Sequence, residues 1–289
     1  MTAPPTSGHP SNAELLAPRL HIVLSPHYDD LALSIGATMA RVAASGRDVL
    51  DLIVFGTDPT GLPLHDFARH HHDAWGVTAS AAIAARKREE ATAVAILGAT
   101  SGNLPFHDAI YRDTFYTSEE SLFGVPAAAE SGLPLSIADE AATVARSMAG
   151  AGHEPSDGSV RFYAPLAVGH HVDHQLAFQA GRTLAALGYV VWFYEDLPYA
   201  LIGSNLPDRL AEIDASGHRI EIAVSVPTDA FWDRKIDSVL AYPSQLETVF
   251  GNYCGIPASR PAISDALAAY HRDAGAGEQA ERFWRFSRP

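Results

Sequence analysis

Short apolar runs alternate with longer amphipathic stretches along most of this chain, and that alternation restricts the fold more than any other feature. Leu20–Leu24 and Val49–Phe55 read as strands. Leu31–Ala44 between them reads as a helix, with Leu31, Ile35, Met39 and Val42 near one face and Gly46 suited to its C-cap. Thr78–Leu97 is an Ala-rich helix stopped at Gly98, followed by a short strand near Asn103–Phe106. The stretch 107–135 is irregular and aromatic and reads as a loop or flap insertion. Ile137–Met148 is helical, Val160–Leu166 a strand, Asp173–Leu187 a helix and Tyr189–Tyr194 a strand. Arg219–Val226 alternates apolar and polar residues as a half-buried strand does, and Asp229–Ala241 and Ile263–Ala274 read as helices. This succession predicts an α/β fold: a Rossmann-like three-layer sandwich with a mostly parallel sheet and helices on both faces.

Composition sets the boundaries of function. The chain has 289 residues, 47% of them apolar, enough for one large core. No repeat or linker divides it, so 17–289 is expected to be a single domain. Residues 1–16 are Pro/Ser-rich, lack the pattern of a signal peptide, and are expected to form a disordered lead. No apolar run approaches the roughly 20 residues of a membrane helix, and no basic amphipathic segment suits a membrane surface. The net charge of −14 repels phosphate backbones, which argues against nucleic acid as a partner. A single cysteine, Cys254, excludes an intrachain disulfide framework and a Cys-rich zinc site. The expected location is cytoplasmic. Homo-oligomerisation stays open.

Two segments carry the chemistry. Ser25-Pro26-His27-Tyr28-Asp29-Asp30 follows the first strand, and His170-His171-Val172-Asp173-His174 follows the strand at Val160. In a parallel sheet ligands bind at the carboxyl ends of strands, and both segments sit there. His27 and Asp30 are three apart, as are His171 and His174, a spacing that places two side chains on one helical face. Imidazoles and carboxylates so arranged suit a catalytic divalent metal, which takes about three protein ligands and leaves a position for water. Asp29 is free to face that water as a general base. Asp173 is placed to orient an imidazole. The same residues also suit ordinary roles: Asp29 or Asp30 is a good N-cap, and Asp173 sits well at a helix N-terminus. His65, His70, His71 and His72 read mostly as solvated loop residues.

The pair of motifs resembles the PIG-L (LmbE-like) family of zinc-dependent N-acetylglucosaminyl deacetylases, over residues 20 to about 250. Its members carry Pro/Ala-His-Pro-Asp-Asp-Glu and, later, His-x-Asp-His. Here these are Pro26-His27-Tyr28-Asp29-Asp30-Leu31 and His171-Val172-Asp173-His174. The resemblance implies that His27, Asp30 and His174 bind Zn2+, with Fe2+ or Co2+ also suited to such donors. It implies that Asp29 is the base, and that His171, oriented by Asp173, stabilises the oxyanion or protonates the leaving amine. Arg86, in Arg86-Lys87-Arg88-Glu89, falls where the family has a sugar-contacting Arg, and Asp108 where it has a substrate-binding Asp. Glu195, at a strand end, is a further candidate for substrate hydroxyls. Leu31 replaces the usual Glu and Tyr28 the usual Pro. Some members carry a Tyr oxyanion donor at the place of Gly169; His170, or a Tyr of the aromatic loop, would take over here.

The expected reaction is hydrolysis of an N-acetyl or N-acyl group on an amino sugar or glycosylated small molecule. Two other readings stay open: a metal-dependent amidase acting on a non-sugar amide such as a thiol conjugate, and a non-catalytic metal- or sugar-binding protein. A dinucleotide-binding enzyme would need a glycine cradle after the first strand. Ser25-Pro26-His27-Tyr28-Asp29-Asp30 has none.

Overall fold

The computed structural model describes residues 12–69, 79–150 and 154–287. Its strands form one seven-stranded sheet in the order β3-β2-β1-β4-β5-β7-β6. These are β1 (Leu20–Ser25), β2 (Asp48–Ile53), β3 (Thr100–Asn103), β4 (Val160–Pro165), β5 (Val190–Tyr194), β6 (Ile220–Pro227) and β7 (Ala280–Phe286). Strands β1 to β5 run parallel, while β7 is antiparallel to both β5 and β6.

This order positions the site. From β1 the chain builds outward through β2 to β3. It then returns to lay β4 along the other edge of β1, in register from Leu20↔Val160 to Val23↔Tyr163. The connections leaving the carboxyl ends of β1 and β4 therefore diverge to opposite sides and open a crevice between them. Both ligand-rich segments start at that crevice.

Every residue of β1 and of β4 is buried, as a central parallel sheet covered on both faces requires. Side chains alternate between faces. Leu20, Ile22 and Leu24 join a core with Ile137, Ala141 and Leu176 from helices α3 (Leu133–Ala149) and α4 (Val172–Ala186). Val23 instead meets Leu31, Ile35 and Met39 of α1 (Asp30–Ala44). The remaining long helices are α2 (Ala79–Leu97), α5 (Asn205–Ala215), α6 (Trp232–Val239) and α7 (Arg260–Ala274).

Helix α1 carries Asp30 in its first turn and bends at Ile35 (φ −134°, ψ 21°). The bend is satisfied from outside the helix. The amides of Ala37 and Thr38 donate to the two oxygens of Glu281 on β7, and the buried Lys235 Nζ donates to the same carboxylate at 2.7 Å and to the Ser34 carbonyl at 3.1 Å.

Four expectations need correction. The short strand lies at Thr100–Asn103, ahead of Asn103–Phe106, because the chain turns at Gly98 (φ +78°) and pairs with β2 at once; Pro105 has no N–H for a ladder. Helix α5 and strand β7 go beyond the elements read from the sequence. The expected N-terminal lead is structured from Asn12, since Asn12–Leu15 is a helical turn whose Leu15 is buried; residues 1–11 lie outside the described residues. Among the described residues no helix is long and apolar enough to cross a membrane.

Candidate metal centre

The turn between β1 and α1 leaves its two carboxylates unspent on helix capping. Asp29 occupies the N-cap position but makes no side-chain capping bond. Asp30 turns back, and its Oδ2 accepts the main-chain N–H of His27 at 2.7 Å. Across the crevice, His171 caps α4 with its own ring: Nδ1 accepts the Asp173 N–H at 3.2 Å. That bond fixes the hydrogen on Nε2. Burial first, then the charges of His27 and His174, holds the pKa of His171 well below the usual range, so its imidazole is neutral.

His27 and His174 are oriented alike. His27 donates from Nε2 to Asp173 Oδ2 at 3.1 Å, and His174 donates from Nδ1 to Asp196 Oδ1 at 2.6 Å. Each therefore keeps one nitrogen free. His27 Nδ1 lies 3.7 Å from Asp30 Oδ2, and His174 Nε2 lies 3.6 Å from Asp30 Oδ1. Both separations are too long for hydrogen bonds. They are close to the roughly 3.3–3.6 Å between neighbouring ligands of a tetrahedral ion held at about 2.0–2.2 Å. The buried Nε2 of His174 has no hydrogen-bond partner. A carboxylate–imidazole pair behind each free nitrogen is the usual support of a metal-binding histidine.

The electrostatics point the same way. Burial alone would lower the pKa of His27, yet the hydrogen bond to Asp173 and the carboxylates of Asp108 and Asp30 raise it to about 9. Burial raises the pKa of Asp30 despite the opposing pull of His174 and His27. The cluster thus favours a cation. The donor set His27, Asp30 and His174, with ligand atoms within 4.8 Å of one another, fits a divalent ion. The group His27, His171 and Asp173 meets the same distance limit. Its carboxylate, however, is already occupied by Arg112 Nη1 at 2.5 Å, the Ala109 amide at 3.0 Å and His27.

Around this centre lies a cleft with two unlike walls. On one, Arg86 stands 3.8 Å from Asp29 and over the Tyr28 ring at 5.7 Å, and Asp108 Oδ2 is 3.7 Å from His27 Nε2 while its Oδ1 caps the turn Ala109–Tyr111. On the other, Tyr199 packs edge-to-ring against both Phe123 and Tyr253, whose own rings are tilted 30° to each other, with Phe123 on His171 and Tyr199 on His174. The two departures from the motif have local explanations. Tyr28 anchors the loop by donating to the Gly56 carbonyl and accepting from Asn103, and Leu31 is core.

Two candidates fall outside this cleft. Glu195 faces the other way, its carboxylate filled by Tyr270, Arg282 and Trp284, so it is corrected to a buried structural anchor. His170, in a left-handed conformation (φ +66°), turns outward to Glu212 at 3.2 Å. The carboxylate of Asp173 supports His27, and its amide reaches His171. Trp192 and Phe193 are core. His65 accepts from the Ala68 amide within its own loop, and His70, His71 and His72 lie outside the described residues. Sequence reasoning missed Arg112, which binds Asp173 and Glu130 at once, and the pairing of Asp196 with His174. An Asp directly after a strand end was the one signal for the latter.

The PIG-L family profile, described as GlcNAc-PI de-N-acetylase, matches residues 22–185, more than half of the chain and both ligand-rich segments. A 2'-N-acetylparomamine deacetylase of Niallia circulans is 28% identical over 250 residues, covering 81% of this chain and 83% of the relative. One of Streptomyces fradiae is 31% identical over 186 residues, covering 62% and 57%. The fold is shared with a deacetylase of teicoplanin biosynthesis, at a TM-score of 0.73 and 24% identity, over 93% of this chain and 98% of that one. The chain belongs to the PIG-L family and is an N-deacetylase.

Proposed function

We propose that this enzyme removes the N-acetyl group from an amino sugar within a small glycosylated natural product, and that His27, Asp30 and His174 hold its ion. The convergence of those three side chains at the floor of a cleft that also contains Asp29, Arg86 and Asp108 carries the reading. When bound, a divalent ion polarises the amide carbonyl and lowers the pKa of water.

The protein's own groups do the rest. Asp29, free of capping duty, takes a proton from the attacking water as its oxygen bonds the carbonyl carbon. Arg86 stands 3.8 Å from that carboxylate and directs it. The neutral His171 donates its Nε2–H to the oxygen that gains charge, so its role needs no imidazolium. Collapse breaks the C–N bond. The proton held by Asp29 passes to the departing nitrogen, which leaves as the amine with acetate as co-product. Asp108 and Arg86, on the polar wall, are the groups that meet sugar hydroxyls. The two curated relatives, both deacetylases of an N-acetylated aminoglycoside, support this substrate class.

The test is metal analysis of the purified protein together with acetate release from 2'-N-acetylparomamine, N-acetylglucosamine glycosides and non-sugar N-acetyl amides. Asp29→Asn is expected to keep its metal and lose roughly 10²–10⁴-fold in kcat. Acetate release from the non-sugar amides alone would overturn the substrate class, and full activity of Asp29→Asn would overturn the role of Asp29.

A further inference from the structure

Tyr199 occupies space that a side chain at position 169 would need. Gly169 sits at φ +85°, and a Cβ built on it would lie 2.7–2.8 Å from Cβ, Cγ and Cδ1 of Tyr199. The Tyr199 ring meets the His174 imidazole edge-on at 5.3 Å and lines the cleft beside His27, Asp30 and His171. Phe123 and Tyr253 brace it on two sides, at 6.1 and 5.0 Å between ring centres. The Asn205 side chain pins its main-chain carbonyl at 3.0 Å. Its hydroxyl, by contrast, has no hydrogen-bond partner among the described residues. A braced phenol in a mostly apolar wall, with an unspent donor, is held ready for an acceptor that arrives with the ligand.

The other donors of the cleft are placed differently. Arg86 pairs with Asp29 on the opposite wall, and His171 approaches from the Phe123 side. We propose that the Tyr199 hydroxyl donates a hydrogen bond to the oxygen of the tetrahedral intermediate, partnering His171 and taking up the space left by Gly169. The assignment rests on the N-deacetylase reading above. It makes Tyr199 a catalytic residue supplied by the loop after β5 and not by the His171–His174 motif.

The experiment compares wild type with Tyr199→Phe, which keeps the ring and its packing. Three quantities are read: kcat and KM on 2'-N-acetylparomamine, bound metal per chain, and calorimetric affinity for a methylphosphonamidate of glucosamine as a tetrahedral mimic. Loss of one oxyanion donor predicts a fall of about 10²–10³-fold in kcat. It also predicts KM within about threefold, unchanged metal content, and weakening of the phosphonamidate by at least tenfold, on the order of the rate effect. A kcat and a phosphonamidate affinity both within threefold of wild type would overturn the assignment. So would a rise in KM with kcat unchanged, which would make the ring a binding surface only. Wild-type protein that releases no acetate would overturn the deacetylase reading and, with it, this role. Active wild type beside an unimpaired Tyr199→Phe overturns the role of Tyr199 alone.

Discussion

Asp196 decides which nitrogen of His174 faces the cleft. Its Oδ1 accepts the Nδ1–H of His174 at 2.6 Å while its Oδ2 accepts the Val168 amide at 3.1 Å, so the carboxylate is locked on two sides. Asn in its place offers one acceptor for two donors. Asp196→Asn is therefore expected to weaken metal binding about 10–100-fold, the usual consequence of losing the carboxylate behind a ligand histidine. Competition against a chromophoric chelator measures this. An affinity within twofold of wild type would contradict the orientation argued for His174.

Arg112 ties two buried carboxylates together, Asp173 at 2.5 Å and Glu130 at 2.5 Å, and Tyr116 donates to the same Glu130. Its side chain is 11% exposed, and those of Asp173 and Glu130 are 0% and 7% exposed. Arg112→Met leaves two desolvated charges facing a thioether. The expected loss is roughly 3–5 kcal/mol, as for breaking a buried pair by removing one partner. Urea denaturation gives the value. Arg112→Lys is expected to recover little of it, because one ammonium does not reproduce a fork that holds two carboxylates. Full recovery by Lys would show that charge alone matters there.

Beneath the cleft, Asp51 and Glu90 form a carboxyl pair. Ser25 Oγ donates to Asp51 at 2.5 Å, and Tyr242 donates to Glu90 at 2.6 Å. Burial, aided by the neighbouring charge of Asp29, raises the pKa of Glu90 to about 7, and burial with the charge of Glu90 raises Asp51 well above its usual range. An acid whose pKa is higher folded than unfolded binds more protons in the native state. Stability is then greatest below the unfolded value of about 4.3 and declines as pH rises through about 7. Glu90→Gln keeps an acceptor for Tyr242 and gives Asp51 a permanent donor. It is expected to flatten the decline, so that wild type loses roughly 1–3 kcal/mol between pH 5 and 8 that the Gln variant does not. Parallel pH profiles of the two proteins would disprove the pairing.

What was legible in the sequence follows from what is local. The strand ends at Ser25 and Pro165, the helices after them and the spacing of His27, Asp30, His171 and His174 all lie within single segments, and the parallel pairing of β1 with β4 brings them together. Partners drawn from elsewhere were not legible. Glu195 and Asp196 are adjacent, and side chains leaving a strand alternate between faces. Which of the two reaches His174 is settled by the register of β5 against β4, and Asp196 does so while Glu195 turns to Arg282 and Trp284 on β7. Arg112 sits in an irregular stretch with no periodicity, and its worth appears only when Asp173, 61 residues on, is packed against it. Strand β7 inserts between β5 and β6, antiparallel to both, after a long helical segment, an order that strand–helix alternation does not foretell.

Gly169 and Tyr199 are expected to be energetically coupled. In wild type, Gly169→Ala meets two penalties: a left-handed backbone at φ +85°, which costs a residue with a Cβ roughly 1–2 kcal/mol, and a clash of that Cβ with the Tyr199 ring at 2.7 Å. Overpacking of this kind adds roughly 1–3 kcal/mol. Removing the ring with Tyr199→Ala relieves the contacts with Cγ and Cδ1, keeps the one with the Cβ of residue 199 at 2.8 Å and leaves the backbone term, so Gly169→Ala should cost less in that background by part of the clash energy. A double-mutant cycle on unfolding free energies reads the difference, with 0.5–3 kcal/mol as the usual range for residues in contact. Additivity within about 0.3 kcal/mol would mean that the ring is not seated over Gly169 in solution. Activity provides an independent readout on the same proteins: if Ala at 169 displaces Tyr199 from the cleft, Gly169→Ala lowers kcat in the wild-type background and adds no further loss once Tyr199 is gone.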